Sequence, residues 1–213
     1  MLNNWMNEEH KIIILRIIGG LLLTWAILSF FVGYSIGGFE QLLWFSYIGL
    51  FLTGIGVFFR KPYLVASELA ILLIPAIFWN FDFFYHFFTG NSLFGITDYL
   101  FIRSEPILSD IVSYQHIFLI PLALISLWFM KLKRNDFWIL SIIQVSAVFI
   151  VIRLFTTPVN NIGCVYESCL RISLGSLSVL SYGLVWFLMF FTMIGISSII
   201  LINLPFLKKV NKR

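Results

Sequence analysis

The sequence predicts an all-α bundle spanning a lipid bilayer as six transmembrane helices, with both termini on the cytoplasmic side. Three observations predict it. Of the 213 residues, 60% are hydrophobic and only 11% charged, against roughly 25% charged in soluble domains. A water-soluble fold of this size could not hide that much apolar surface. The apolar residues fall in runs near the roughly 20 residues that a helix needs to cross about 30 Å of hydrocarbon. The basic residues then cluster in the short connections, as positively charged cytoplasmic loops do.

The first span is placed at 12–34, after the polar start MLNNWMNEEHK. The second covers 41–59 and ends at Arg60 and Lys61. Pro62 suits the first turn of the third helix, where its missing N–H costs nothing. That helix is placed at 62–82, with the apolar run extending toward Phe88, and Pro75 is a potential kink. Residues 89–110 break the pattern with Gly90, Asn91, Gly95, Asp98, Arg103, Glu105 and Pro106, and are read as an outer loop. The fourth span is 111–130, with Ser109 or Asp110 placed to cap it. The turn KLKRND leads to the fifth, at 137–155. A second outer loop, 157–171, precedes the sixth span at 174–204. The whole chain, 1–213, reads as one transmembrane domain without internal repeats.

Charge placement supports this count. With the N-terminus inside, the inner face receives Lys11, Arg16, Arg60, Lys61, Lys131, Lys133, Arg134, Lys208, Lys209, Lys212 and Arg213, which is 11 of 14 basic residues. Only Arg103, Arg153 and Arg171 fall outside. The net charge of +4 is therefore a topology signal, and no nucleic-acid partner is expected. The first run lacks a cleavage site followed by a soluble domain, so it is read as a span rather than a removable signal peptide. The short inner loops suggest a bacterial inner membrane.

Ionisable groups at membrane depth are costly, and each is a functional candidate. Asp82 and His86, four residues apart, share a helix face. His116 sits near the outer end of the fourth helix and Arg153 near that of the fifth, so four such residues lie in one outer layer. One reading makes Asp82, His86, His116 and Arg153 catalytic, with Tyr85, Asp110, Asn160 and Asn161 binding substrate. Asp82, His86 and His116 could then hold zinc or another divalent metal, whose bound water would attack an ester or amide. The plainer reading is an Asp82–Arg153 ion pair, with each histidine bonded to a backbone carbonyl. Motifs such as HExxH, CxxC and GxSxG are missing.

Glu68 is expected to pair with Arg60 or Lys61, or to belong to a proton path. Gln144 is expected to bond between helices, and Glu167 to pair with Arg171. Cys164 and Cys169, the only cysteines, fall in the second outer loop and are expected to form a disulfide. The leading functional expectation is a membrane enzyme, of hydrolase type, acting on a lipid or lipid-linked substrate at the outer leaflet. The alternatives are a small transporter using Glu68 and Gln144, or a non-catalytic subunit that binds a protein partner through its outer loops. Membrane lipids are expected partners in every case.

Overall fold

The computed structural model describes residues 7–102, 106–169 and 179–207. Among these residues the regular structure is helical and no strand occurs. Helix α1 spans Glu8–Gly37. Asn7 caps its start by accepting a hydrogen bond from the Glu9 N–H at 3.5 Å. The chain turns through a 3-10 segment, Gly38–Leu43, into α2, Phe45–Phe58. Close α1–α2 packing rests on glycine. A Cβ on Gly19 would stand 2.5 Å from the Phe58 backbone nitrogen, and one on Gly54 would stand 3.1 Å from that of Leu23. Helices without water between them gain association from such small residues.

Helix α3, Pro62–Thr89, is about 42 Å long at 1.5 Å per residue. Pro62 lies in its first turn, as its sequence position suggests. It ends at Gly90, whose left-handed φ of 70° lets the cap N–H reach the His86 carbonyl. It is the central helix of the bundle and packs against α2, against α6 (Gln115–Met130), against α7 (Phe137–Phe155) and against α8 (Val179–Asn203). In its apolar window 61% of residues are buried, against 39% or less in the other four long stretches. The loop after α3 carries two short helices, α4 at Asp98–Ile102 and α5 at Ile107–Ser113.

Among the described residues, five helical stretches are long and apolar enough to cross a membrane, namely Glu8–Leu43, Pro62–Thr89, Ile107–Met130, Phe137–Phe155 and Tyr182–Asn203. The segment expected as a second span takes a different form. Its helical part, α2, has 14 residues, about 21 Å, because the 3-10 turn uses the residues before it. The expected fourth span, 111–130, also takes a different form. It starts at Ile107 and is broken at Tyr114, so Asp110 lies inside the first turn of α5 rather than capping it. Pro106 precedes that helix instead. An acidic group in a first turn still suits the helix dipole. The third helix continues past 82 to Thr89.

The outward surface is apolar along the helices. Phe31 is 70% exposed, Leu184 67% and Leu188 70%. Lipid, not water, is the solvent for such a surface. One end of the bundle is basic. The Tyr63 hydroxyl donates to the Asp136 carbonyl at 3.0 Å, and Arg134 lies over the Tyr63 ring at 4.8 Å. Lys131 Nζ donates to the Phe206 carbonyl at 2.8 Å. This end therefore gathers the α2–α3 turn, the α6–α7 connection and the end of α8. The Cys164–Cys169 loop follows the opposite end of α7, about 28 Å away along that helix. Residues 103–105, 170–178 and 208–213, and with them the expected Glu167–Arg171 pair, lie outside the described residues.

Candidate functional site

The half of the bundle nearer the Cys164–Cys169 loop encloses a cavity of about 430 Å³. Ile71, Leu72, Pro75, Ala76 and Trp79 of α3 form one wall, and Tyr182, Val185, Trp186, Met189, Phe190 and Met193 of α8 form the facing wall. Trp44 and Phe45, beside the start of α2, and His116 and Leu119 of α6 complete the sides. Gly163, Cys164, Ser168 and Cys169 roof it. Phe78, Val185 and Met189 line it and are 41, 37 and 38% exposed. These half-exposed side chains border the cavity between α3 and α8. A volume of 300–1,000 Å³ with mostly apolar walls is usual for small-molecule sites.

His116 is the titratable side chain of the earlier candidate set that reaches this cavity. It also borders a second, shallower groove of about 270 Å³ with Asn80 and Pro121 on the α3–α6 surface. Its position is set by two contacts. Nδ1 lies 2.7 Å from the Ser113 carbonyl, and the ring stacks on Trp79 at 4.6 Å. A carbonyl only accepts, so Nδ1 carries the proton, and Nε2 of the neutral ring is left as an acceptor. Asn80 Nδ2 donates to the His116 carbonyl at 2.8 Å and to that of Ala76 at 2.7 Å, tying α6 to α3 beside the ring.

Asp82 is fully buried and committed elsewhere. Its Oδ1 accepts from the N–H groups of Leu93, Phe94 and Gly95 at 3.0, 2.6 and 3.3 Å. Its Oδ2 accepts from the Thr97 N–H at 2.8 Å and the Thr97 hydroxyl at 2.9 Å. Five donors fill the lone pairs of a carboxylate. Asp82 thus pins the loop over α3. His86 stacks on Phe101 at 3.8 Å, and its Nδ1 faces Asp98 Oδ1 at 3.6 Å. Although four residues apart, Asp82 and His86 thus meet different partners. Arg153 lies over the rings of Phe149 and Tyr166 at 5.6 and 4.7 Å. Among the described residues no three His, Cys, Asp or Glu side chains are grouped to hold a metal, so Asp82, His86 and His116 are not a three-donor set.

The residues expected to bind substrate are dispersed. Asn160 Nδ2 donates to Glu40 Oε2 at 2.7 Å, bridging to the 3-10 turn after α1. Asn161, with a left-handed φ of 39°, accepts through Oδ1 from the N–H groups of Tyr166 and Glu167 at 3.1 and 3.2 Å. Tyr85 is 43% exposed on the outside of α3. Asp110 lies in α5 near Tyr99, whose phenol burial pushes above its usual range. The expected disulfide is present, Cys164 to Cys169, with 5.5 Å between Cα atoms.

Sequence reasoning missed the supports of this site. Tyr99 accepts from Trp79 Nε1 at 3.3 Å, joining α4 to α3 beside the ring on which His116 stacks. The Tyr182 hydroxyl donates to the Cys164 carbonyl at 2.9 Å, and Trp186 Nε1 to that of Gly163 at 3.2 Å. A buried Trp or Tyr needs such a partner, so their presence in apolar runs was a usable signal. A separate polar group lies toward the basic end. Gln144 Nε2 donates to Glu68 Oε1 at 2.5 Å, and the Ser67 hydroxyl to Gln144 Oε1 at 2.7 Å. Glu68, 2% exposed, thus bonds across to α7 rather than pairing with Arg60 or Lys61.

The fold defines an α-helical integral membrane protein with an apolar cavity among its helices. Compared with known proteins, the chain matches no protein family, no curated protein and no solved structure.

Proposed function

We propose that this protein is a membrane enzyme that draws the apolar chain of a lipid or lipid-linked substrate sideways into the 430 Å³ cavity. His116 then acts as general base on the substrate's polar end. The observation carrying this reading is the placement of a tautomer-fixed imidazole in the wall of an apolar cavity bordered by half-exposed side chains of α3 and α8. A proton acceptor held in one orientation is what activation of water or a hydroxyl requires. Hydrolysis of an ester or amide is the simplest chemistry for such a base. Arg153, packed on Tyr166 of the roofing loop, is the cation suited to an anionic headgroup.

We place the basic end in the cytoplasm, with six chain crossings counting α2 and both termini inside, and the cavity in the outer leaflet of a bacterial inner membrane. The gathering of Arg60, Lys61, Lys131, Lys133 and Arg134 near one end supports this orientation.

Lipid extracted from the purified protein identifies the occupant by mass spectrometry, and turnover of that lipid class in proteoliposomes then tests catalysis. His116→Ala is expected to lower kcat by roughly a hundredfold or more with little change in KM. His86→Ala is expected to leave kcat nearly unchanged. Full activity in a folded His116→Ala protein refutes the assignment of the base.

A carrier reading has one specific support, the buried Glu68–Gln144–Ser67 group between α3 and α7. It requires gradient-driven uptake that Glu68→Gln abolishes, whereas the enzyme reading leaves turnover intact in that variant.

A further inference from the structure

The two sulfur-bearing residues of the disulfide both line the apolar cavity, and a bridge used only for structure has little reason to face it. The bridge spans five positions in sequence, and short loops gain least from cross-linking. The loop is also held without it. Asn161 bonds three times to its backbone, Tyr182 and Trp186 each donate to its carbonyls, and the Tyr166 hydroxyl donates to the Thr156 carbonyl at 2.8 Å. Cys164 has a φ of 55°, a left-handed conformation that a residue with a side chain rarely adopts. Asn161 Nδ2 points a donor at Cys169 Sγ from 3.8 Å, which favours a thiolate on that sulfur.

We infer that Cys164 and Cys169 form a redox-active pair that passes two electrons between an external dithiol and a membrane quinone bound in the cavity. This rests on the reading above only in taking the cavity to receive a lipid. It names one class, an isoprenoid quinone, whose ring is flat and aromatic and whose tail is apolar. The rings of Trp44, Phe45, Trp79, Trp186 and Phe190 give the cavity an aromatic wall, against which a flat aromatic ring packs. At roughly 30 Å³ per water-sized group, the cavity holds a quinone ring and the first part of its tail, with the remainder leaving between α3 and α8.

The chemistry balances. A thiolate of the external dithiol attacks Cys164 Sγ, the bond between the two sulfurs breaks, and Cys169 leaves as the thiolate that Asn161 supports. The second thiol of the donor resolves the mixed disulfide, so the donor is oxidised and the pair is reduced. The reduced pair then gives two electrons and two protons to the quinone. A hydroquinone leaves, and the disulfide is restored.

The test uses the full chain in lipid nanodiscs, with dithiothreitol as donor and a short-tailed benzoquinone as acceptor. Hydroquinone formation is followed optically, and the state of the pair by maleimide mass shift. The wild type is expected to form hydroquinone at least about tenfold faster than the uncatalysed mixture, a difference of about 1.4 kcal/mol in barrier. Cys169→Ser is expected to fall to background. Met189→Trp, at the cavity border, is expected to slow the reaction while its cysteines are still reduced by dithiothreitol. A background rate in the wild type, or an unchanged rate in Cys169→Ser, overturns the inference. A photoreactive single-chain lipid separates the two readings. Labelling of the cavity in wild type and Cys169→Ser without quinone reduction removes the redox role alone, and failure to label the cavity removes lipid binding as well.

Discussion

At the scale of single residues, the Asp82 carboxylate and the His116 imidazole have opposite fates. Asp82 is saturated by five donors from 93–97, whereas His116 keeps one nitrogen turned away from its Ser113 partner. Asp82→Asn replaces an acceptor by an amide that faces N–H donors, and is expected to lower stability by about 2 kcal/mol. Thermal unfolding in detergent measures this, and an unchanged midpoint contradicts the anchoring role. Gly163→Ala is a second residue-scale case. Its φ is 61°, and a Cβ there would lie 2.9 Å from Phe45 Cε2 in the cavity wall. We expect it to destabilise the roof by about 1–2 kcal/mol, read as faster reduction of the disulfide by dithiothreitol. The sequence marked Asp82, His86, His116 and Arg153 as a layer because each is polar near an outer helix end. It held no trace of the backbone donors that claim Asp82, since amide groups are common to every loop.

At the scale of elements, close approach and buried polar pairing hold the helices together. Gly19 and Gly54 bring α1 and α2 into backbone contact. Gly19→Leu is expected to cost at least about 2 kcal/mol by overpacking and to lower the yield of folded protein in size-exclusion chromatography, whereas Gly20→Leu, which meets open space, is expected to have little effect. The α3–α7 contact depends on Gln144 and Glu68. Gln144→Leu strands a buried carboxyl, and is expected to destabilise by about 1–3 kcal/mol, more than Glu68→Gln, which keeps a bonding group in place. Equal midpoints for the two variants contradict this account. Apolar run length made α1, α3, α7 and α8 legible. It did not reveal the short α2, because a 3-10 turn and a helix share the same apolar composition. The break at Tyr114 was hidden for a similar reason, as no proline or glycine marks it.

At the scale of the whole molecule, a polar end and a sulfur-bearing end lie at opposite ends of an apolar belt. That division was readable from the placement of lysine and arginine, since it depends on charge order along the chain. The cavity was not readable, because it arises from the packing of α3 and α8 beneath a roof held by Tyr182 and Trp186. The measurement that bears most directly on lipid entry is photo-crosslinking with a diazirine-bearing fatty acid in nanodiscs. Cavity binding predicts label on 71–79 of α3 and 182–193 of α8. It also predicts that Met189→Trp and Ala76→Phe each suppress that label while labelling of the exposed face of α1 stays constant. Equal labelling of all helices in the wild type, unaffected by either substitution, would show that lipid meets only the outer surface and would contradict the cavity as the site.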